Sequence, residues 1–559
     1  MDVFAVRQRS LPRFAHTLCC PGCAVSTPPA QSEKRDANPR LTFRRQTAYR
    51  VILERLDTAY TPRCIGAPHL SDCLRQPGST TPRGSGAAYA QITQGIALPR
   101  IQHLVAISAG IAMTVLAGCA SYRAMPLPTA PTAQPLSRVS VDPSKLRLPA
   151  LASRRFDPAD GLDMTEVAML AVANNPDLRL ARDDLGIARA QAFAAGLLTD
   201  PQLGIANDYP SPSQPGATRA FNYGVSMDIM ALAMRPYAKQ AANANVAKID
   251  LGLLWQEFQT AAQARRLFVK VRAQDAVLPL LYQARELTGR RYAVLRQAVE
   301  RGNVAADTVT SALTAAQDAR KQYADAQHAT LQAHEDLNAL LGLPAGSTLP
   351  LVDGGSAPRA QADATPDALD HLPERRADLL ALAQGYAAED VQYRTAILKQ
   401  FPSLTVGFVR ARDTSSLYTT GFQINLTLPI FNRNRGNIAI ETATRQRLHD
   451  EYENRLNQAY ADIKRLQADR SILVDQLNGA EAALPALTQL SDAAQHALDA
   501  HDITLVSYTD DRMAWIAKAV EVATLREALA EQDITLDTLL GITAPADLLT
   551  LHTPASHHD

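Results

Sequence analysis

Few residues in this 559-residue chain have the types and spacing that catalytic chemistry needs. The sequence contains no GxxxxGK(S/T) phosphate-binding loop, no HExxH zinc motif and no GxSxG nucleophile motif. Its 12 histidines are scattered and its formal net charge is zero, so neither a clustered acid–base site nor a basic nucleic-acid footprint is indicated. We therefore expect no enzyme activity, no nucleic-acid partner and no resident metal.

The cysteines indicate a different chemistry, covalent modification by lipid. Five of the six lie within the first 73 residues, and the sixth is Cys119. The uncharged apolar run 104–118 directly precedes Cys119, and it suits a signal peptide but is too short to cross a bilayer. Its end, Leu-Ala-Gly-Cys, resembles a bacterial lipobox, whose cysteine is diacylated and becomes the mature N-terminus. The alternative is a buried apolar helix, but the Pro-rich residues that follow offer such a helix nothing to pack on.

A lipobox at this place defines the N-terminal part of the chain. We expect residues 1–95 to be disordered or a spurious extension, residues 96–118 to be a lipoprotein signal peptide, and residues 119–160 to be a Pro-rich lipidated linker. Ala120 and Ser121 include no aspartate of the kind that retains lipoproteins at the inner membrane, so the outer membrane is favoured. The only cofactor expected is the covalent lipid on Cys119.

The rest of the chain repeats itself at an offset of about 200 residues. The matching segments are Asn175-Pro-Asp-Leu with Arg376-Ala-Asp-Leu, Asp200-Pro-Gln-Leu with Phe401-Pro-Ser-Leu, Gly224 with Gly421, and Leu337-Asn-Ala-Leu-Leu-Gly with Leu536-Asp-Thr-Leu-Leu-Gly. We predict duplicated domains at 161–350 and 367–545. A Gly- and Pro-containing linker, 351–366, joins them, and a tail, 546–559, follows.

Each copy is predicted to contain a helix, two strands, a long helix and a last helix. The expected helices are 163–199, 238–299, 304–341, 364–400, 437–500 and 503–541, and the expected strands are 202–209, 221–229, 403–411 and 418–428. We expect Pro279 and Pro485 to interrupt the long helices near their middles. A coiled-coil seam is predicted from the steps of three and four between Val522, Leu525, Leu529, Gln532, Leu536 and Leu539.

The last predicted strand has two unlike faces. Phe422, Ile424, Leu426 and Leu428 have one parity, whereas Gln423, Asn425 and Thr427 have the other. Pro429 ends the strand, and a basic turn that contains Asn432, Arg433 and Gly436 leads into the following helix. Strands of about eight to eleven residues are close to the length that a tilted strand needs to cross a membrane.

A sheet in hydrocarbon has to close, because unpaired backbone edges are not tolerated there. Single-chain barrels begin at about eight strands, so four strands per chain have to be completed by neighbouring copies, and three copies give a twelve-stranded barrel. The apolar side chains of the last strand would then face lipid, and its polar side chains would face a water-filled lumen. The alternative is a pair of short hairpins that cap a helical bundle.

With the repeat, the strand pairs, the long helices and the lipobox in view, the sequence over about 160–545 resembles the TolC family of outer-membrane efflux ducts. It is closest to the lipidated members that serve heavy-metal and drug pumps. The most specific stretch is the strand-to-helix junction Leu428-Pro-Ile-Phe-Asn-Arg-Asn-Arg-Gly-Asn-Ile-Ala. The resemblance implies a mainly α fold with a small membrane β part: tandem helix-strand-strand-helix repeats that form a trimeric 12-stranded β-barrel and a long periplasmic α-helical barrel.

The resemblance also implies partners. These are a periplasmic adaptor (membrane fusion protein), an inner-membrane pump of the resistance-nodulation-division class, two further copies of the chain and outer-membrane lipid. The helix-hairpin tips would meet the adaptor at Gly302, Asn303 and Val304 in the first copy and at His501, Asp502 and Ile503 in the second. His501 replaces the glycine of the first copy, which puts the geometry of the second tip and its match to the adaptor in doubt.

Family members carry aspartate rings at the periplasmic entrance, and alignment by the hairpin places Ser507 and Asp510 there, with Asp511 adjacent. The alternative is that Asp510 and Asp511 are solvated charges beside Arg512. The implied function is passive conduction of heavy-metal ions or drugs through the outer membrane. The rival function is a periplasmic coiled-coil adaptor or scaffold lipoprotein without a pore.

Overall fold

The computed structural model of the protein describes residues 122–211, 215–354 and 369–541. The predictions for 1–95, for the signal peptide 96–118, for Cys119, for most of the linker 351–366 and for the tail 546–559 lie outside the described residues. Ala124 begins the compact unit to which every element named below belongs.

The elements repeat in the predicted order. In the described residues they are α1 Met164–Asn174, α2 Pro176–Ala195, β1 Gln202–Asp208, β2 Ala220–Asp228, α3 Ile229–Glu300, α4 Ala306–Leu340, α5 Ala377–Leu398, β3 Ser403–Arg412, β4 Tyr418–Thr427, α6 Arg435–Asp499 and α7 Leu505–Leu540. Single helical turns at Leu136–Arg138, Pro143–Lys145, Pro149–Ala152 and Leu372–Arg375 accompany them. The four predicted strands are confirmed with ends that differ by one residue at most.

Two predictions about helix continuity are wrong. Pro279 and Pro485 do not interrupt the long helices, because α3 runs unbroken for 72 residues and α6 for 65. A proline removes one backbone hydrogen bond and bends a helix, and packing along the rest of so long a helix keeps it intact. Conversely, the predicted helix 163–199 is two helices, since Asn175 stands outside helical geometry between α1 and α2.

Side-chain caps explain where α1 and α2 begin. Asp163 accepts hydrogen bonds from the backbone of Thr165 and Glu166, and the Glu166 carboxylate accepts one from the Asp163 amide, which is a complete capping box. Asn175 caps α2 by accepting from the Leu178 amide at 3.0 Å, and its Nδ2 donates to the Leu340 carbonyl. The second bond joins the start of α2 to the end of α4.

The four strands form one antiparallel sheet in the order β1-β2-β3-β4. β1 pairs with β2 and β3 with β4 inside the two hairpins, and β2 pairs with β3 across the two halves of the sequence. β1 and β4 are therefore the edges of the sheet.

Helix α3 is the centre of the packing, because it contacts α1, α2, α4, α5 and α7. In the described residues, its counterpart α6 packs extensively only on α5 and α7. The predicted seam is largely correct: Val522, Gln532 and Leu536 are buried, and Leu525, Leu529 and Leu539 are half-buried. The predicted N-terminal linker also supplies Leu146, Leu148 and Leu151 to the core, a contribution that its Pro-rich composition does not suggest.

Both Leu-Leu-Gly motifs close their helices in the same way. Gly342 follows α4 with a φ of +66°, and Gly541 follows α7 with a φ of +65°. A Cβ at Gly342 would lie 2.7 Å from the carbonyl oxygen of Asn174, and one at Gly541 would lie 3.1 Å from that of Arg375. Each glycine thus permits a left-handed turn and a close approach to the start of its own repeat.

We predict that Gly342→Ala lowers the free energy of unfolding by about 2–4 kcal/mol, because the left-handed backbone and the contact with Asn174 both oppose a Cβ. Gly289→Ala is the matched control, since Gly289 lies inside α3 with no atom within 4 Å of its Cβ position. That control should gain up to about 1 kcal/mol. Thermal unfolding of the detergent-purified protein followed by circular dichroism measures both, and equal stabilities would contradict this assignment.

Candidate functional site

One face of the sheet is apolar and uncovered. The strand register places in adjacent rows Leu203, Val225, Phe408 and Phe422, then Met227, Val406 and Ile424, then Leu404 and Leu426. We call this set the apolar face. Phe422 is 85 % exposed and Ile424 is 66 % exposed. Exposed apolar side chains in contiguous rows indicate a surface that another apolar phase or molecule covers.

The opposite face is small and polar. Its rows are Gln202, Ser226, Gly407 and Gln423; Gly204, Gly224, Val409 and Gly421; Ala206, Asn222, Ala411 and Thr419; and Asp228, Thr405 and Asn425. We call this set the polar face. The alternation predicted for β4 therefore extends through all four strands, although β4 ends at Thr427 and leaves Leu428 outside it.

Aromatic residues gather at the hairpin-turn end of the apolar face. The rings of Phe221 and Tyr223 lie 4.8 Å apart, and those of Phe221 and Tyr418 lie 6.0 Å apart. Aromatic rings at the ends of an apolar band are typical of membrane–water interfaces.

The strand-to-helix junction after β4 is a structured turn. Pro429 follows the strand, and the Asn432 carbonyl accepts the Arg435 amide at 3.1 Å. Arg433 and Asn434 both have left-handed backbones, with φ of 46° and 53°. Gly436, which was expected in the turn, instead lies in the first turn of α6. The Asn434 side chain donates to the Ala396 carbonyl at 2.8 Å, which ties the junction to the end of α5.

The two hairpin tips have the same backbone geometry, so His501 does not change the shape of the second tip. Gly302 has a φ of +75° and His501 a φ of +65°. At the first tip the Asn303 amide donates to the Ala298 carbonyl, and at the second tip the Asp502 amide donates to the Ala497 carbonyl. Both are the Schellman closure of a helix.

His501 holds a conformation that favours glycine. Its Nδ1 lies 3.1 Å from the Asp499 carbonyl oxygen, a contact that holds the ring at the tip. Asn303 and Asp502 are exposed and Val304 and Ile503 are half-buried, so the two tips present similar surfaces.

Near the second tip, polar side chains connect the two halves of the chain. Asp510 on α7 forms an ion pair with Arg291 on α3. Arg512 donates to Gln283 on α3 at 3.0 Å and to Ser491 on α6 at 3.1 Å. Asp510 therefore pairs across two helices, although 62 % of its side chain remains exposed. Asp511 is exposed, and the Ser507 amide donates to the Thr504 cap of α7 at 3.2 Å.

A carboxyl pair near the sheet end of the helices was not found from the sequence. Glu389 on α5 is only 7 % exposed, one of its oxygens has no hydrogen-bond partner, and its side chain contacts Glu441 on α6. Burial, followed by the hydrogen bond and charge of Glu441, raises the pKa of Glu389 to about 7, while Arg447 and Lys248 oppose the rise. The two glutamates lie 52 residues apart, and no sequence motif connects them.

A second charged contact joins three helices. Arg376 is almost fully buried before α5, where it donates to Asp378 at 2.7 Å and lies over the Trp255 ring of α3. Arg455 on α6 also donates to Asp378, at 2.8 Å. Burial alone would raise the pKa of Asp378, but the hydrogen bonds and charges of Arg376 and Arg455 outweigh it and hold that pKa below its usual range.

In the described ranges, no three histidine, cysteine, aspartate or glutamate side chains are grouped as the ligands of a metal ion. Among the helices that the structure describes, none has the length and apolar character needed to cross a bilayer.

Comparisons with known proteins agree with this geometry. The profile of the outer membrane efflux protein family matches residues 368–542. The chain is 26 % identical over 412 residues to the outer membrane protein OprJ of Pseudomonas aeruginosa, covering 69 % of this chain and 84 % of OprJ. It is 23 % identical over 458 residues to the probable outer membrane lipoprotein SilC of Salmonella typhimurium, covering 76 % and 96 %. The crystal structure of the CmeC outer membrane channel of Campylobacter jejuni has the same fold, with a TM-score of 0.59, 15 % identity and coverage of 76 % and 95 %.

The carboxyl pair predicts a pH dependence of stability. Because the folded pKa of Glu389 exceeds its ordinary value of 4.5, the folded state binds more protons between about pH 4.5 and about pH 7, and stability falls as pH rises through this window. Glu389→Gln should remove this fall and stabilise the protein at pH 8 by about 1–2 kcal/mol, after allowance for solvent screening.

The measurement is the melting temperature across pH 4–9. Glu453→Gln, which removes an exposed carboxylate from α6, is the control and should keep the wild-type profile. A Glu389→Gln profile parallel to that of wild type would show that the two carboxyls do not share a proton.

Proposed function

The chain belongs to the outer membrane efflux protein family and is an outer-membrane protein, and from that premise we propose that it is the channel component of a tripartite efflux system. It conducts heavy-metal ions or drugs passively to the exterior. An inner-membrane pump of the resistance-nodulation-division class supplies the energy, and a periplasmic adaptor joins the pump to the channel. The protein itself performs no covalent chemistry.

The observation that carries this proposal is the two-faced sheet. Its apolar face is exposed and its edge strands β1 and β4 have unpaired backbone groups, an arrangement that is costly in water and impossible in hydrocarbon unless the sheet closes. A closed sheet with the apolar face toward lipid leaves the polar face around an aqueous path. A pore-free scaffold lipoprotein would have no use for such a sheet.

The internal repeat supplies the way the sheet closes. β4 corresponds to β2 at an offset of 197 residues, and β1 corresponds to β3 at an offset of 201. If neighbouring copies repeat the β2–β3 pairing, β4 of one copy pairs antiparallel with β1 of the next. The register Ser226↔Gly407 and Met227↔Val406 then becomes Gln423↔Ala206 and Ile424↔Ile205. This register joins polar to polar face and apolar to apolar face.

The helices support the same assembly. α5 packs between α3 and α6, whereas its counterpart α2 packs on α3 and leaves Leu180, Ile187 and Phe193 exposed. In a repeated arrangement α6 of a neighbouring copy covers α2, since α6 lacks on its other side the contacts that α3 has. A contact of this head-to-tail kind generates a ring when the rotation between copies closes.

Three copies fit an aqueous lumen. Two copies would give an eight-stranded barrel, whose interior is filled by its own side chains. A twelve-stranded barrel has a wider interior that can hold water. We therefore assign a trimeric twelve-stranded barrel continued by a periplasmic barrel of α-helices, anchored through lipidated Cys119.

The tips carry the adaptor contacts and the gate in this proposal. Gly302, Asn303, Val304, His501, Asp502 and Ile503 meet the adaptor, and Asp510, Asp511 and Ser507 line the periplasmic entrance. Because Asp510 is held by Arg291, opening has to separate α7 from α3 at this pair.

Disulfide trapping tests the assembly, since residues 120–559 contain no cysteine. We expect Ala206→Cys with Gln423→Cys, and Ile205→Cys with Ile424→Cys, to give covalent trimers on oxidation. Successive residue pairs across antiparallel strands alternate between hydrogen-bonded and non-hydrogen-bonded pairs. Testing both pairs therefore includes the one whose geometry better suits a disulfide. Ala206→Cys combined with Gly421→Cys or Asn425→Cys is the control, shifted by two residues. Trapping in the shifted pairs alone would refute the register, and a monomeric protein without surfactant would refute the channel.

Planar-bilayer conductance tests the gate. An ion pair this exposed is worth at most about 1 kcal/mol, so Arg291→Ala in three copies shifts a concerted opening by up to about 3 kcal/mol, roughly 150-fold. We expect a higher open probability in this variant. Lys321→Ala, which removes a pair with Asp325 within α4, should leave conduction as in wild type. An unchanged open probability in Arg291→Ala would exclude this pair from the gate.

A further inference from the structure

Two arginines stand on the apolar face, at the hairpin-turn end of the sheet. In the strand register Arg410 lies beside Tyr223, and Arg412 lies between Phe221 and Tyr418. The long helices begin after the opposite ends of β2 and β4, so these arginines are at the end of the sheet away from the helices. Neither arginine belongs to the tips, the junction or the polar face.

The positive charge of these side chains is not balanced by an acid. In the part of the chain that the structure describes, Arg410 is exposed and makes neither a hydrogen bond nor an ion pair, and its guanidinium lies 5.9 Å from the centre of the Tyr418 ring. Arg412 donates through Nη2 to the hydroxyls of Thr218 and Ser416 at 3.1 and 2.9 Å, and its Nε has no acceptor. Its guanidinium lies 5.6 Å from the Tyr418 ring centre.

The nearby carboxylates are directed elsewhere. Asp413 accepts the backbone amides of Ser415 and Leu417 at 2.8 and 2.9 Å inside the β3–β4 turn. Asp208 has the parity of the polar face, because it follows Ala206 by two residues along β1. The apolar face at this end therefore carries two guanidinium groups, aromatic rings and hydroxyls.

We propose that Arg410 and Arg412 bind the phosphate group of a lipid headgroup in the outer leaflet. This inference rests on the proposed function, which places the hairpin turns at the exterior. Guanidinium groups bind phosphate oxygens in a bidentate geometry, and basic side chains at headgroup depth beside aromatic rings are a recurrent means of binding anionic lipid.

The position favours a lipid over a soluble phosphate. Phe408 precedes Arg412 by four residues on the same face, about 13 Å along the strand, and Phe422 lies next to Phe408. A lipid whose phosphate contacts the arginines extends its acyl chains over these exposed aromatic rings. A free phosphate ion would use none of this apolar surface.

The test measures binding of lipid A, which carries phosphate groups, to the detergent-purified protein, with chemically dephosphorylated lipid A as the matched probe. We expect Arg410→Gln/Arg412→Gln to bind lipid A at least about tenfold more weakly than wild type. The dephosphorylated probe should bind wild type and variant equally weakly, and Arg410→Lys/Arg412→Lys should keep part of the affinity. Arg394→Gln/Arg465→Gln removes the same charge from exposed helix surfaces and should bind as wild type does.

Several results would overturn the proposal. These are equal binding by the double glutamine variant, equal binding of the dephosphorylated probe, or displacement of lipid A by inorganic phosphate at comparable concentration. If the double variant does not assemble, Arg410→Gln alone provides the test, because Arg410 has no hydrogen bond to lose. Bilayer conductance separates the two hypotheses. A conducting protein without lipid selectivity refutes only this inference, whereas a protein that conducts neither as wild type nor as Arg291→Ala refutes the channel.

Discussion

Backbone hydrogen bonding at the two edges of a four-stranded sheet is the constraint on which the other features depend. Among the residues that the structure describes, the outer edges of β1 and β4 have no strand partner, and the sheet between them has an exposed apolar face. Each unpaired group buried in lipid costs several kcal/mol, so the sheet requires the edge of another copy before it can lie in a membrane. The proposed assembly meets this requirement with further copies of the same chain.

The duplication of the sequence gives that requirement a geometric solution. Within one chain, the pairing of β2 with β3 and the packing of α3 on α5 join the first half to the second. The same contacts, made from the second half to the first half of another copy, leave no edge strand and cover α2. One set of contacts can therefore serve both inside a chain and between chains, which is why a duplicated unit suits a ring.

Charged side chains give different parts of this repeated structure different properties. Arg376 and Asp378 fix α5 to α3 and α6, and both of these side chains are buried. The pair of Arg291 with Asp510 is more exposed and therefore weaker, which suits the gate proposed at this place. Glu389 and Glu441 meet where α5 packs on α6, and the raised pKa of Glu389 predicts that stability depends on pH. In the described residues, Arg410 and Arg412 have no acidic partner beside the aromatic rings of the sheet. A negatively charged ligand can therefore balance their charge there.

Much of this architecture is determined by local sequence. The alternation at Phe422 and Ile424 involves only neighbouring residues, and it predicts the strand. The glycines after Leu341 and Leu540 are also local signals, and they predict the ends of α4 and α7 and mark the repeat. The assignment of the family rests on the same local patterns, together with the junction after Leu428. The predicted interruption at Pro279 is wrong, because packing along the whole of α3 keeps the helix continuous through this proline.

Only the tertiary structure decides which distant side chains meet. His501 takes the left-handed conformation of Gly302 because the helix closure at the tip imposes it, although its residue type argues against it. Asp510 meets Arg291 across 219 residues, and Glu389 meets Glu441 across a hairpin, and neither contact leaves a spacing that a sequence pattern can reveal. Ion pairs and shifts in pKa depend on such contacts between distant residues, whereas helical period and strand parity depend only on residues a few positions apart.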